Sequence, residues 1–221
     1  MGLRELKKEQ TRQLIAGTAW RLFAERGFEQ VSVAEIAREA QVAEATVFNY
    51  FPSKEDLFYS RLEAFGTKLT EAVAARAPGE PALAAFRRGL LAERGLLAEV
   101  EAGDKEALDR LRTVSRVIAA SPALLAREQQ AINANASSLA ALLADETGAA
   151  AGDLTPRAVA NALVGVHRAL VDYVRGRVLA DDDLGRLAAD VSRITSEAFA
   201  LLERGLRDYA VRPASLTGKG R

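Results

Sequence analysis

Between Ala43 and Phe51 the chain sets a carboxylate (Glu44), two hydroxyls (Thr46 and Tyr50) and a carboxamide (Asn49) among Val47, Phe48 and Phe51, with the ammonium of Lys54 just beyond. Hydroxyls and ammonium groups bond phosphate oxygens, and a carboxylate accepts from the N4 amino group of cytosine but is repelled by phosphate. Such a set suits the recognition of nucleic acid. No Gly-rich phosphate loop, nucleophile elbow or His or Cys pair accompanies it, so catalysis is not expected.

The elements that must hold these side chains can be read from their boundaries. Ser32 and Glu35 stand at capping-box spacing before Ile36-Ala37, which predicts a short helix start at which each satisfies an orphan donor. A tight connection at Gln41-Val42 follows, then a second short helix that Pro52 ends. Two short helices crossing through such a turn form a helix-turn-helix, whose second member can enter the major groove of DNA. Ahead of them, Ile15, Ala19, Leu22 and Phe23 share one face of a helix expected from about Arg4 to Arg26, with Gly27 as its stop. Ile36, Ala37, Ala40, Val42, Val47 and Phe51 should close over that face as a three-helix head.

Residues 11 to 58 resemble the head of the TetR family of bacterial transcriptional regulators. The resemblance is carried by Leu22-Phe23-Ala24-Glu25-Arg26-Gly27-Phe28, Val33-Ala34-Glu35-Ile36-Ala37, Thr46-Val47-Phe48-Asn49-Tyr50-Phe51 and Ser53-Lys54-Glu55-Asp56-Leu57. It implies that Ala34, Glu44, Ala45 and Thr46 lie at or near base edges. Thr46, Tyr50 and Lys54 suit phosphate contact; Asn49 could reach a phosphate, a base or only water. Backbone N–H groups of Ser32 and Val33 would add an anion site at a helix start. Glu44 has two readings, an acceptor for cytosine or a carboxylate favoured by the helix dipole. Three positions depart from the family pattern. Phe48 replaces a tyrosine and keeps only apolar contact; Ala43 replaces a capping serine, at a cost of about 1 kcal/mol; Gln41 stands where glycine is common, so either the turn accepts a side chain at φ > 0 or its geometry differs.

Composition bounds the rest. Thirty basic and thirty acidic residues cancel over 221 residues, and residues 1 to 60 hold eight Lys/Arg against nine Asp/Glu, so a generic basic footprint is absent. Positive charge is local, at Arg4, Lys7, Lys8 and Arg12, which predicts DNA binding through a few placed contacts and two heads acting together. The absence of cysteine excludes disulfides and thiolate chemistry. No apolar run approaches a membrane span and the charged start lacks a signal-peptide core, so a cytoplasmic, membrane-free protein is expected.

The expected fold is all-α, with about nine helices. Residues 1–53 form the helix-turn-helix DNA-binding domain, 54–211 a helical ligand-binding and dimerisation body, and 212–221 a flexible tail. Ser53 should cap a fourth helix running to about Arg76, and Ala77-Pro78-Gly79-Glu80-Pro81 is a break. Asp104, Ser121-Pro122 and Thr155-Pro156 should open later helices. Leu125, Ile132, Ala136, Leu139 and Leu143, then Leu187, Val191, Ile194, Ala198 and Leu201, repeat at helical spacing. The resemblance implies a homodimer through the last two long helices, about Pro156 to Val178 and Asp183 to Tyr209, with Ala158, Ala162, Gly165 and Ala169 allowing close approach. It also implies a pocket between about Leu83 and Val174 for a small hydrophobic or acyl-like effector, without a cofactor or metal, with Arg87, Arg88 or Arg116 near an anionic head. His167 lies with Leu163, Leu170, Val171 and Val174 on one helical side and is a core, interface or pocket residue. The function implied is a repressor on an inverted-repeat operator in double-stranded DNA, released by its ligand. A helical scaffold acting through protein partners is the alternative.

Overall fold

The computed structural model describes residues 2–60, 64–92, 96–180 and 184–206. Among them the regular elements are eleven α-helices and one turn of 3-10 helix at Leu184–Arg186: α1 Leu3–Arg26, α2 Val33–Glu39, α3 Glu44–Tyr50, α4 Lys54–Tyr59, α5 Ala64–Ala74, α6 Ala82–Ala92, α7 Leu96–Glu101, α8 Lys105–Ala119, α9 Pro122–Thr147, α10 Thr155–Leu179 and α11 Leu187–Leu206. The all-α class expected of the sequence is what is observed. The expected tail at 212–221 lies outside the described residues, as do residues 183 and 207–209 of the expected last helix.

The chain divides into two compact units, one built from Met1–Ala64 with Arg110–Gln129, the other from Phe65–Asp109 with the residues from Gln130 onward. In the first, the predicted face of α1 is buried: Ile15 and Phe23 are fully enclosed, with Ala19 and Leu22 beside them. Ile36, Ala37, Ala40, Val47 and Phe51 close over it, and Val114, Val117, Ile118 and Leu124 from α8 and α9 join the same core. Aromatic rings concentrate around Phe58, whose centroid lies 5.4 Å from Trp20, 5.8 Å from Phe23, 5.9 Å from Phe28 and 5.3 Å from Tyr59. Offset and edge-on packing of this kind adds to the free energy of area burial.

Local chemistry explains the helix ends. Gly27, at φ 82°, terminates α1 and donates its N–H to Phe23 O. Ser32 Oγ accepts from Glu35 N–H, as its spacing predicts, and Ser53 Oγ accepts from Asp56 N–H to start α4. The turn after α2 is a Schellman motif: Val42 N–H donates to Ala37 O and Gln41 N–H to Arg38 O. Gln41 therefore adopts φ 56°, so of the two readings of this position the turn accepts a side chain in the left-handed region. Ala43 opens α3 with no side-chain cap. The expected fourth helix is described as α4 and α5, with residues 61–63 outside the described set, and α5 ends at Ala74, before Arg76. Asp104 Oδ1 and Ser121 Oγ cap α8 and α9 as expected. At α10 the expectation is corrected by one residue. Thr155 is the first helical residue rather than the cap; the capping position is Leu154, whose apolar side chain has no acceptor, and Asp153 Oδ1 accepts the Thr155 N–H at 2.8 Å instead. The Thr155 hydroxyl first, and then that backbone bond, hold the Asp153 carboxyl below its ordinary range.

The second unit has its own core, in which Val73, Ala85, Phe86, Leu139, Leu143, Leu163 and Phe199 are almost wholly enclosed. Gly89 lets α6 approach α5 closely, since a Cβ there would stand 3.0 Å from Ala72 Cβ. Leu201, expected on the buried stripe of α11, is instead 63% exposed, and Phe199 takes the interior position. Arg76 is 2% exposed. Its guanidinium donates to Glu80 O, Val73 O and both oxygens of Glu146, so a charge removed from water is matched donor by donor.

Three stability changes are expected. Gln41→Gly relieves the left-handed side chain and Ala43→Ser supplies the missing cap, each stabilising the head by about 1 kcal/mol in chemical denaturation. Glu146→Ala leaves the buried Arg76 charge uncompensated and destabilises by about 3 kcal/mol in the same assay.

Candidate nucleic-acid interface

α3 is a seven-residue helix with one side spent on packing. Val47 and the following Phe51 are buried, Thr46 and Tyr50 are half-buried, and Glu44, Ala45, Phe48 and Asn49 face solvent. Phe48 is 46% exposed, an aromatic ring left uncovered on a helix too short to hide it. The surface at the start of α2 is continuous in type with this, since Ser32 and Ala34 are exposed and Val33 is half-buried.

The structure brings the start of α1 to the same place. Tyr50 and Asn49 line a groove of about 410 Å³ with Glu5, Lys8, Glu9 and Arg12, and Tyr50 lines a second of about 610 Å³ with Lys7 and Thr11. The Arg12 guanidinium also lies 5.2 Å from the centroid of the Phe51 ring, within cation–π range. Lys7, Lys8 and Arg12 were legible only as a local excess of charge in the sequence; their neighbourhood with Asn49 and Tyr50 is a product of the fold.

Two expected roles are modified by partners. Glu35, placed to reach back toward Ser32, is gripped by Arg26 through contacts of 2.6 and 2.9 Å. That hydrogen bond, with the charges of Arg26 and Arg38, lowers the Glu35 pKa despite partial desolvation, and the same bond raises that of Arg26. Lys54, expected at phosphate, donates from Nζ to Phe28 O at 3.0 Å and Val31 O at 3.2 Å, and lies 4.1 Å from the Phe28 ring centroid.

The three arginines expected near an effector divide between the two units. Arg87 pairs with Glu203 at 3.3 Å and Arg88 with Glu80 at 3.1 Å in the second unit, whereas Arg116 is exposed and belongs to the first. His167, in α10 of the second unit, is half-buried, and desolvation lowers its pKa to about 4, leaving the ring neutral at pH 7.

Residues 15–60 match the family model of the bacterial regulatory proteins of the tetR family, and residues 80–207 match that of the MftR C-terminal domain, which covers more than half of the chain. The HTH-type transcriptional regulator TcmR of Streptomyces glaucescens is 31% identical over 127 residues, 57% of this chain and 55% of that protein. The HTH-type transcriptional repressor Rv3405c of Mycobacterium tuberculosis is 35% identical over 91 residues, 41% of this chain and 48% of its own length. The chain thus spans about half the length of these curated relatives. Among solved structures, NalD, the secondary repressor of the MexAB-OprM multidrug efflux pump in Pseudomonas aeruginosa, superposes with TM-score 0.57 at 23% identity over 92% of this chain and 99% of that one. The SmeT–triclosan complex gives TM-score 0.55 at 17% identity over 96% and 99%. These two share the fold. The relatives are transcriptional regulators rather than enzymes, and with both parts of the chain matched, it belongs to the TetR family of bacterial regulatory proteins.

Proposed function

We propose that the protein is a homodimeric transcriptional repressor of the bacterial cytoplasm, which binds an inverted-repeat operator in double-stranded DNA and is released by a small hydrophobic or acyl-like ligand. The observation that carries the DNA-binding part is the exposed face of α3, Glu44, Ala45, Phe48 and Asn49, bordered by Tyr50 and by Lys7, Lys8 and Arg12. In this reading Glu44 accepts from a cytosine amino group, while Ala45 and Phe48 offer apolar contact in the major groove. Tyr50, Thr46 and the basic residues of α1 hold phosphates and set the register. Ser32, Val33 and Ala34 lie near the duplex.

Dimerisation through α10 and α11 is supported by the outward position of Ala158, Gly165 and Ala169, with Ala162 half-buried, and by the exposure of Leu201. Small residues on an uncovered helix face let a second helix approach closely. A ligand of apolar character is in keeping with the triclosan complex of SmeT and with the fatty acid degradation regulator FadR of Bacillus halodurans, which has TM-score 0.52 at 21% identity. The ligand must bind the released state better than the DNA-bound one, and operator and ligand then weaken each other by the same factor.

Selection from a random DNA pool is expected to return an inverted repeat. Tyr50→Phe, which removes one hydroxyl, weakens binding about 3–10-fold without changing the selected sequence. Glu44→Ala relaxes the choice at one base pair of each half-site. A folded dimer that enriches no sequence at low salt would favour a scaffold acting through protein partners. A separate expectation concerns pH. Because His167 is neutral in the folded state down to about pH 4, the unfolded chain takes up the proton first as pH falls below about 6.5. Stability should therefore decline from about pH 6.5 to 4, and His167→Gln should lessen that decline in urea titrations across the range.

A further inference from the structure

We infer that Lys54 is a positioning residue for DNA binding, an internal strut that sets the start of α2, and that it does not act as a phosphate ligand. The inference rests on the DNA-binding reading above. An ammonium carries three hydrogens, and here two are engaged, on Phe28 O at 3.0 Å and Val31 O at 3.2 Å. The face of the Phe28 ring lies 4.1 Å from the same nitrogen, so the charge is held from a third side by the ring quadrupole. Phe28 and Val31 are both buried and belong to the short loop that turns the chain from α1 into α2. Val31 immediately precedes Ser32, whose hydroxyl caps α2. Lys54 is the first residue of α4, so a single side chain joins the first turn of α4 to the loop that aims α2.

Each part of this arrangement opposes transfer of the ammonium to DNA. A move to phosphate would take the ammonium from Val31 O, leave Phe28 O with only the longer Val31 N–H bond of 3.4 Å, and lift the cation off the ring. The stem would also leave a partly buried position against the head core. The contribution of Lys54 to DNA binding is therefore geometric. It keeps Ser32, Val33 and Ala34 at the angle to α3 that the groove requires, while Lys7, Lys8, Arg12 and Tyr50 carry the phosphate contacts.

The test compares full-length wild type with Lys54→Met, which keeps the stem without the donor, and Lys54→Gln, which is neutral but still donates. The measurements are the thermal midpoint, amide hydrogen exchange at residues 28–34, and affinity against salt for the duplex recovered by selection. Lys54→Met should lower the midpoint by about 3–6 °C and speed exchange at residues 28–34. Its affinity should fall while the slope of log K against log [salt] stays at the wild-type value, and Lys54→Gln should recover part of the midpoint with the same slope. A slope smaller by about 1 in both variants would overturn the inference, since that is the signature of one lost phosphate contact. Unchanged midpoint and exchange would overturn it as well. If wild type binds no duplex selectively, the DNA-binding reading fails, and midpoint and exchange still decide whether Lys54 is a strut.

Discussion

The aromatic cluster centred on Phe58 is the constraint on which the head depends. Phe58 sits on α4, Trp20 and Phe23 on α1, and Phe28 on the loop between α1 and α2, so one set of ring contacts fixes three segments at once. Phe28 then serves twice, as an edge-on partner of Phe58 and as the floor beneath the Lys54 ammonium. With the loop held, α2 starts where Ser32 can cap it, and the Schellman turn at Gln41 sets the direction in which α3 leaves. Seven-residue helices are far below the length at which an isolated helix is stable in water. The exposed face of α3 is thus stable only because the cluster and the turn hold the helix from behind.

The same first unit contains residues far away in the chain. Ser121 Oγ donates to Glu29, Tyr59 OH donates to Leu124 O, and Arg127 Nε donates to Asp56, so residues 121–127 are tied to the first sixty by three polar contacts. Glu29, Asp56 and Tyr59 lie on the α1–α2 loop and α4, the segments that the aromatic cluster also organises. The head is consequently a structure of helix-turn-helix plus the α8–α9 turn. In the second unit the comparable organising contact is the buried Arg76 with Glu146, which ties the end of α5 to the last turns of α9.

Much of this was legible in the residues. The buried face of α1, the stop at Gly27, the caps at Ser32, Ser53, Asp104 and Ser121 and the helix-turn-helix all depend on short-range spacing, which the chain displays directly. The α10 start was misplaced by one residue because Asp153, Leu154 and Thr155 offer two polar caps in succession, and only geometry decides which accepts. Lys54 suits a phosphate by type and place; the carbonyls it bonds are 23 and 26 residues away and leave no mark in the local pattern. The ties between residues 121–127 and the head span 65 to 92 residues and were unreadable for the same reason. Charge patterning located Lys7, Lys8 and Arg12 but could not place them beside Tyr50. Effector recognition was the least legible part, since arginines on helix surfaces find carboxylates as readily as ligands, as Arg87 does with Glu203.

The central claim is that two copies of the α3 face read one symmetric DNA site. A hydroxyl-radical protection footprint of the full-length protein on a duplex recovered by selection tests it most directly. Two protected windows are expected on one face of the duplex, related by two-fold symmetry and separated by about one helical turn or more. A single window, or uniform protection that ignores the selected sequence, would contradict it.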